Sequence, residues 1–220
     1  MLKLAYSRTR STRMPTPWSD ASDRDLLMAI REGEERALDE LIRRKTKALL
    51  QLAQGILGDN EEARDVVQVT FFKIWENRRK FDGKWSPNTW MYRITSNLAI
   101  DHLRSRNSRE RIQEPVRLHL LHRADSEAHY DFSNLEQHEV GRIFQRLAAA
   151  LPERQRVVFV LREIEGLETH EVSQILGIRE SAVRSQLYNA RQSLRQELLR
   201  RYPEYAATLP AALLEPKEDA

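Results

Sequence analysis

The sequence predicts an all-α chain: two helical domains joined by a flexible linker, the C-terminal one a helix-turn-helix. Three observations predict it. Only 7 Gly and 8 Pro occur in 220 residues, too few for the many tight turns of an all-β fold. Apolar residues recur at three- and four-residue steps over long stretches, the period of a helix with one buried face. That period fails over residues 108–137 and then resumes. A structureless stretch of that length is unusual inside one domain, so a boundary falls there.

The division is a basic arm over residues 1–21, a first domain over 22–107, a linker over 108–137, a second domain over 138–202 and a tail over 203–220. The arm carries Lys3, Arg8, Arg10 and Arg13 among Ser, Thr and Pro, without the apolar stretch of a secretory signal. It reads as disordered: a solvated tail, a start better placed at Met14, or an arm that touches DNA. In the first domain, Leu26, Leu27, Ile30, Leu38, Leu41, Ile42, Leu49, Leu52, Ala53 and Ile56 form one stripe. Ser22 and Asp25 make a capping pair at its start. Gly58-Asp59-Asn60 interrupts the stripe, and Asp59 or Asn60 can cap a second helix that runs to about Arg79. That helix is apolar nearly all round, through Ala63, Val66, Val67, Phe71, Ile74 and Trp75, so it is buried or binds a partner. Asp82-Gly83 marks a turn. Ser86-Pro87 starts a third helix, since Pro at the first position gives up no needed donor, and it reaches about Arg111.

In the second domain, Val140, Ile143, Phe144 and Leu147 restore the helical period, and Leu151-Pro152 breaks it. Val157-Val158-Phe159-Val160 suits a strand by propensity, but the run is short and its neighbours are helical, so it is read as helix.

Composition excludes several classes. There is no Cys, which removes disulfides, Cys-based zinc fingers and a Cys nucleophile and fits a cytoplasmic protein. No apolar run approaches the ~18 residues that a membrane span needs. The net charge of +3 is mild, so the placement of charge says more than its sum.

Residues 168–195 have the pattern of a helix-turn-helix. A short helix buries Val172, Ile175 and Leu176; Gly177 permits a sharp turn; Ile178 plugs the corner. A longer helix buries Val183, Leu187, Ala190, Leu194 and Leu198 and presents Arg184, Ser185, Tyr188, Asn189, Arg191 and Arg195. Residues 178–201 hold six Arg against Glu180 and Glu197, a net +4 that exceeds the charge of the whole chain. A helix fits the major groove, where Arg reads guanine and Asn reads adenine, and later arginines meet phosphates. The alternative is a basic solvated helix in a bundle.

On the helix from Pro87, Thr89, Arg93, Ser96, Asn97 and Arg104 fall on or near one stripe, with Arg106, Arg109 and Arg111 towards its end. Phe81, Trp85, Trp90 and Tyr92 surround its start. Single-stranded nucleic acid suits such a face, because bases stack on rings and phosphates meet Arg. Trp90 reads better as core.

These residues resemble a known family. Asp65-Val66-Val67-Gln68 through Trp75, Phe81-Asp82-Gly83, Thr89-Trp90-Met91-Tyr92-Arg93-Ile94 and Asn97-Leu98-Ala99-Ile100-Asp101-His102-Leu103-Arg104 resemble the first domain of bacterial extracytoplasmic-function (ECF) sigma factors. Leu151-Pro152-Glu153-Arg154-Gln155-Arg156, Leu161-Arg162-Glu163, Glu165-Gly166-Leu167 and Ala182-Val183-Arg184-Ser185 resemble the second. The resemblance implies a dissociable subunit of core RNA polymerase that recognises promoter −10 and −35 elements. Asp65, Val66, Gln68, Thr70, Phe71 and Phe72 would dock on the β′ clamp helices. Trp85, Arg93, Asn97, Arg104 and Arg106 would open and hold the −10 element. Arg184, Ser185, Tyr188, Asn189 and Arg191 would read the −35 element. The polymerase β flap and an anti-sigma factor are further implied partners. The chain departs from the family pattern at Val69, where Glu is usual, and in the loop with Lys84, Trp85 and Pro87.

Two other classes compete. A stand-alone helix-turn-helix regulator would account for the second half but not for the aromatic and basic face of the first. An enzyme or metal protein would use His119, His122, His129 and His138, but their spacing is irregular and no His-Glu-x-x-His or Gly-rich phosphate loop occurs. No catalytic activity, cofactor or metal is expected.

Overall fold

The structure, a computed structural model, describes residues 18–117 and 147–202. The arm before Trp18, most of the linker with its four histidines, and the tail lie outside the described residues. Those described form helices and no strand, as the apolar period predicts. The first unit holds α1 (Asp23–Arg31), α2 (Glu35–Leu57), α3 (Asn60–Glu76), a 3-10 turn (Arg78–Lys80) and α4 (Pro87–Arg117). The second holds α5 (Glu153–Phe159), a π turn (Val160–Ile164), α6 (Thr169–Leu176) and α7 (Glu180–Arg201).

Local chemistry sets most boundaries. At α1, Ser22 and Asp25 form a capping box: the Ser22 Oγ accepts from the Asp25 amide at 3.2 Å and the Asp25 carboxylate accepts from the Ser22 amide at 3.1 Å. Asp59 caps α3, its Oδ1 accepting from the Glu62 amide at 2.9 Å. Ser86 caps α4, its Oγ accepting from the Thr89 amide at 3.0 Å.

Three boundaries differ from expectation. The stripe from Leu26 to Ile56 is two helices, because the chain turns at Glu32-Gly33-Glu34 and then restarts in phase. The turn preserves the apolar face, so periodicity alone could not reveal it. Helix α4 continues to Arg117, so residues 108–117, read as linker, are helical and Pro115 lies in the last turn. Residues 18–21, read as the end of a disordered arm, are held down by Arg44. Its guanidinium donates to the carbonyls of Trp18 (2.7 Å), Ser19 (2.8 Å) and Ala21 (2.6 Å). Glu40 aims that guanidinium, accepting from Arg44 Nε at 2.6 Å, and is itself only 4% exposed.

The core of the first unit is built by Leu26, Ile30, Leu41, Leu52, Ile56, Ala63, Ile74, Phe81 and Met91, all essentially buried. A Leu of this kind replaced by Ala costs about 2–5 kcal/mol. The second unit gathers Val157, Val158, Val172, Ile175, Val183, Leu187 and Leu194. The two units pack directly on each other: α4 lies along α6, and α2 meets α5 and the π turn.

Candidate nucleic-acid and partner surfaces

The corner between α6 and α7 closes as the sequence predicts. Gly177 lies at φ 65°, ψ 33°, the left-handed region, which a side chain would strain. The Ile178 amide donates to the Ser173 carbonyl at 3.2 Å, and the Ser173 hydroxyl donates to the Ile178 carbonyl at 2.7 Å. The corner's polar groups are thus satisfied locally, and α7 leaves in a fixed direction. Val183, Leu187, Ala190, Leu194 and Leu198 are all buried. Arg184, Ser185, Tyr188 and Asn189 are exposed on the opposite face, and Tyr188 keeps 51% of its surface open. Among the described residues Arg184 pairs with Glu180 alone, at 3.5 Å on the surface, a pairing too weak to hold it.

Arg191 is different. It is half-buried, and its guanidinium donates to Glu163 at 2.7 Å. This ion pair ties α7 to the π turn, so Arg191 sets the helix in place rather than standing free with the other four.

Helix α3 sorts its residues cleanly. Val66, Thr70 and Phe71, expected at a partner surface, are in the core at 5%, 0% and 7% exposure. The Thr70 hydroxyl is satisfied by the Val66 carbonyl at 2.8 Å. Asp65, Gln68, Val69 and Phe72 face outward, Phe72 at 62% and Val69 at 42%. These four lie at three- and four-residue steps, on the side away from the stripe Ala63, Val67, Thr70, Ile74. The sequence marks Val69 only as a departure from the family pattern; its place between Asp65 and Phe72 on one helical face is the signal that groups it with them.

The loop into α4 is anchored at both ends. Phe81 is buried and packs on Trp90 with ring centres 5.3 Å apart, and the Phe81 carbonyl accepts from Arg31 at 3.1 Å. Asp82 Oδ1 accepts from the Lys84 amide at 3.0 Å, and Lys45 donates to Asn88 Oδ1 at 3.0 Å. Trp85, half-buried between these ends, lies under the guanidinium of Arg93 at 5.0 Å, within cation–π range.

Along α4, Arg93, Asn97 and Arg104 are exposed, whereas Thr89 and Ser96, which lie near the same stripe, are buried. Arg106 is drawn to Glu62 at 2.7 Å, and His102 approaches the same carboxylate at 3.3 Å. Arg93 donates to the Gln174 carbonyl at 3.2 Å, and Arg104 donates to Glu153 at 3.1 Å. Next to them the Tyr92 hydroxyl donates to Glu165 at 2.8 Å. Burial, and then the Glu165 charge, raise the Tyr92 pKa; burial raises that of Glu165 against the opposing pull of the Tyr92 hydrogen bond. Among the described residues no group of three or more His, Asp or Glu could hold a metal ion, and no helix is long and apolar enough to cross a membrane.

The described surface thus carries a helix-turn-helix with a basic outer face, an arginine-and-aromatic face on α4, and an outward face of α3 on which Val69 and Phe72 are exposed beside Asp65 and Gln68. Comparison with known proteins agrees. Residues 41–109 match the family model for sigma-70 region 2, and residues 141–194 match that for sigma-70 region 4, together more than half of the chain. The chain belongs to the sigma-70 family, among its ECF sigma factors. It is 29% identical to the ECF RNA polymerase sigma factor SigE of Mycolicibacterium smegmatis, over 86% of this chain and 74% of that one. It is 26% identical to ECF sigma factor SigW of Bacillus subtilis, over 77% and 92%. Among solved structures, CnrH in complex with the cytosolic domain of CnrY matches with TM-score 0.59 and 26% identity, over 81% of this chain and 98% of that one. RpoE of Bartonella quintana, solved with the anti-sigma factor NepR, shares the fold with TM-score 0.60 at 21% identity, over 74% and 97%.

Proposed function

We propose that this sigma factor binds core RNA polymerase in the cytoplasm through the outward face of α3, melts and holds the −10 element on α4, and reads the −35 element with α7. The observation that carries the reading is the order of the two modules, region 2 and then region 4, each with its own exposed face: Asp65, Gln68, Val69 and Phe72 on one, Arg184, Ser185, Tyr188 and Asn189 on the other.

On this reading the apolar stripe of α3 docks on the β′ clamp helices, with Asp65 and Gln68 supplying polar contacts at its edge. Val66, Thr70 and Phe71 give that helix its shape from within. The second unit reaches the β flap. Arg184 and Asn189 have the donors for guanine and adenine edges in the major groove, and Arg195 and Arg200 lie further along α7 for phosphates.

Opening the −10 element needs neither ATP nor a catalytic group. Flipping a base costs on the order of a few kcal/mol, and stacking on a ring such as Trp85 returns about 1–3 kcal/mol per base. Arg93, Asn97 and Arg104 add contacts along the strand. Their phosphate contribution is salt-sensitive, with log affinity falling about 0.7 per neutralised phosphate for each log unit of salt on a single strand. An anti-sigma factor is a further partner, since the solved relatives CnrH and RpoE are held in complexes with CnrY and NepR.

The test is assembly followed by footprinting. The purified chain should join core polymerase in a stable complex that protects DNA near −35 and −10 at discrete genomic sites. A chain that binds DNA site-specifically by itself, and gains nothing from polymerase, would instead be a stand-alone regulator.

A further inference from the structure

We propose that residues 1–17 act as a DNA-binding arm, which an arginine clamp on α2 delivers to the duplex that borders the opened −10 segment. The proposal rests on the assignment of the α4 face above and adds a further contact beside it.

The charge of the arm points to a polyanion. Residues 1–17 hold Lys3, Arg8, Arg10 and Arg13 and no acidic residue, a net +4 where the whole chain carries +3. Cations of one sign in a short segment repel each other. They gain free energy on a phosphate backbone, from which they release counterions.

The way the arm is held turns that charge into a site. A chain end frays unless it is tied down. Here the Arg44 guanidinium donates to the carbonyls of Trp18, Ser19 and Ala21, all of which precede α1. Glu40 in turn accepts from Arg44 Nε at 2.6 Å and from Arg43 at 2.6 and 2.9 Å. A nearly buried carboxylate thus aims the fork that grips the segment. Trp18 packs, partly buried, against the core, and the Ala21 amide donates back to the Trp18 carbonyl at 3.2 Å. Helix α1 does not depend on this grip for its first turn, because Ser22 and Asp25 already cap it. The clamp fixes the point from which the arm departs.

That point adjoins the strand-binding face. Asp23 lies 3.7 Å from the Arg44 guanidinium and pairs with Lys45, which also donates to Asn88 Oδ1 at 3.0 Å. Asn88 is the second residue of α4 and follows closely on Trp85. Arg24 of α1 reaches the same loop: its Nη1 is 3.3 Å from where a Cβ at Gly83 would lie. Arg13 lies five residues before Trp18 and Arg8 ten, so covalent geometry keeps them within roughly 18 Å and 36 Å of it. Such a short tether holds the arginines at high effective concentration beside any DNA on α4. The opened strand is already met by Trp85, Arg93, Asn97 and Arg104. The adjoining duplex presents twice the phosphate density of a single strand, and the arm's cations suit it.

The chain contains no Cys, so Ser11→Cys carries a tethered iron–EDTA cleavage reagent at a single place in the full chain. In the complex with core polymerase and promoter DNA, the reagent should cut both strands in one short tract beside the −10 element. Cuts confined to polymerase subunits would make the arm a protein contact and overturn the proposal, as would an absence of cuts.

Salt dependence gives an independent readout. In the same complex, R8A/R10A/R13A should reduce the slope of log affinity against log salt by about 0.9 for each arginine that meets a phosphate. With all three engaged, the loss of affinity between about 50 and 200 mM salt becomes roughly 40-fold smaller than in the wild type. The three positions precede the clamp, so the melting temperature should not change. Equal slopes overturn the proposal.

Arg44→Lys separates the clamp from the charge. It keeps a cation opposite Glu40 but has one nitrogen where the fork has three. Every arm charge remains, yet the cuts from position 11 should scatter and weaken. Cuts as sharp as those of the wild type overturn delivery by the clamp. A wild-type complex that protects no promoter ends the sigma-factor reading itself, whereas intact protection with equal salt slopes ends the arm alone.

Discussion

Arg93 stands over Trp85, its guanidinium carbon 5.0 Å from the ring centre. The pair joins the loop at 81–86 to α4 and turns a half-buried ring into a flat shelf with a cation over its face. Aromatic rings accept any base by stacking, and a neighbouring guanidinium can add a phosphate contact. Because Phe81 and Asn88 hold the ends of the loop, the shelf is set before any DNA arrives, which lowers the ordering cost of binding.

Replacing that ring should impair melting before it impairs docking. Trp85→Ala is expected to cost about 1–3 kcal/mol in open-complex formation, read as lost permanganate reactivity at −10 thymines, with polymerase binding unchanged. Trp85→Phe should retain most of it. Equal reactivity in Trp85→Ala would remove the ring from the account.

Helix α7 separates two kinds of arginine. Arg184→Ala should weaken −35 protection by about 1–3 kcal/mol and relax base preference at one position. Arg191→Ala should instead lower the melting temperature, because it breaks the link to Glu163, and should leave base preference intact. Protection that is unchanged in Arg184→Ala, or base preference lost in Arg191→Ala, would reverse these roles.

Helix α3 offers the same contrast between outside and inside. Asp65→Lys combined with Phe72→Ala should abolish co-purification with core polymerase and leave thermal stability close to that of the wild type, since both positions are exposed. Phe71→Ala should cost about 3–5 kcal/mol of folding stability through the cavity it leaves. Co-purification retained in the double variant would place polymerase docking elsewhere.

Acid should loosen the N-terminal end of the first unit. The guanidinium hydrogen bonds of Arg43 and Arg44 hold Glu40 at about 2, below its usual 4.5. A depressed carboxyl pKa contributes stability that is complete above the unfolded value and lost as pH falls from about 4.5 towards about 2. The melting temperature of the wild type should therefore fall more steeply across that window than that of Glu40→Gln. Glu197, held at about 2 by Arg200 and Arg201, leaves a residual slope in both. Parallel melting curves would show that Glu40 does not link stability to pH.

Much of the fold was legible because its signals are local. Ser22 with Asp25, Asp59, Ser86-Pro87 and Gly177 each fix a helix end through a nearby hydrogen bond or a backbone angle, and each appears where the sequence places it. The stripe of α7 was legible for the same reason: five apolar positions on one face leave Arg184, Ser185, Tyr188 and Asn189 on the other. The turn at Gly33 was not, since it restarts α2 with the apolar face in register. Val66, Thr70 and Phe71 were grouped with Phe72 because a motif gives residues in order, whereas burial follows the helical face. The close approach of Gly55 in α2 to Val160 in the π turn had no sequence signal, as nothing local marks which helix will lie against a glycine. The partners of Arg93 and Arg104, Gln174 and Glu153, are distant in the chain for the same reason.

The central claim is that two helical modules select a start site when mounted on polymerase. In vitro transcription of genomic fragments by core polymerase with the purified chain, with 5′ ends mapped, tests it most directly. The account predicts discrete start sites that share two upstream elements and vanish when the chain is omitted. Transcripts whose ends are the same with and without the chain would contradict it.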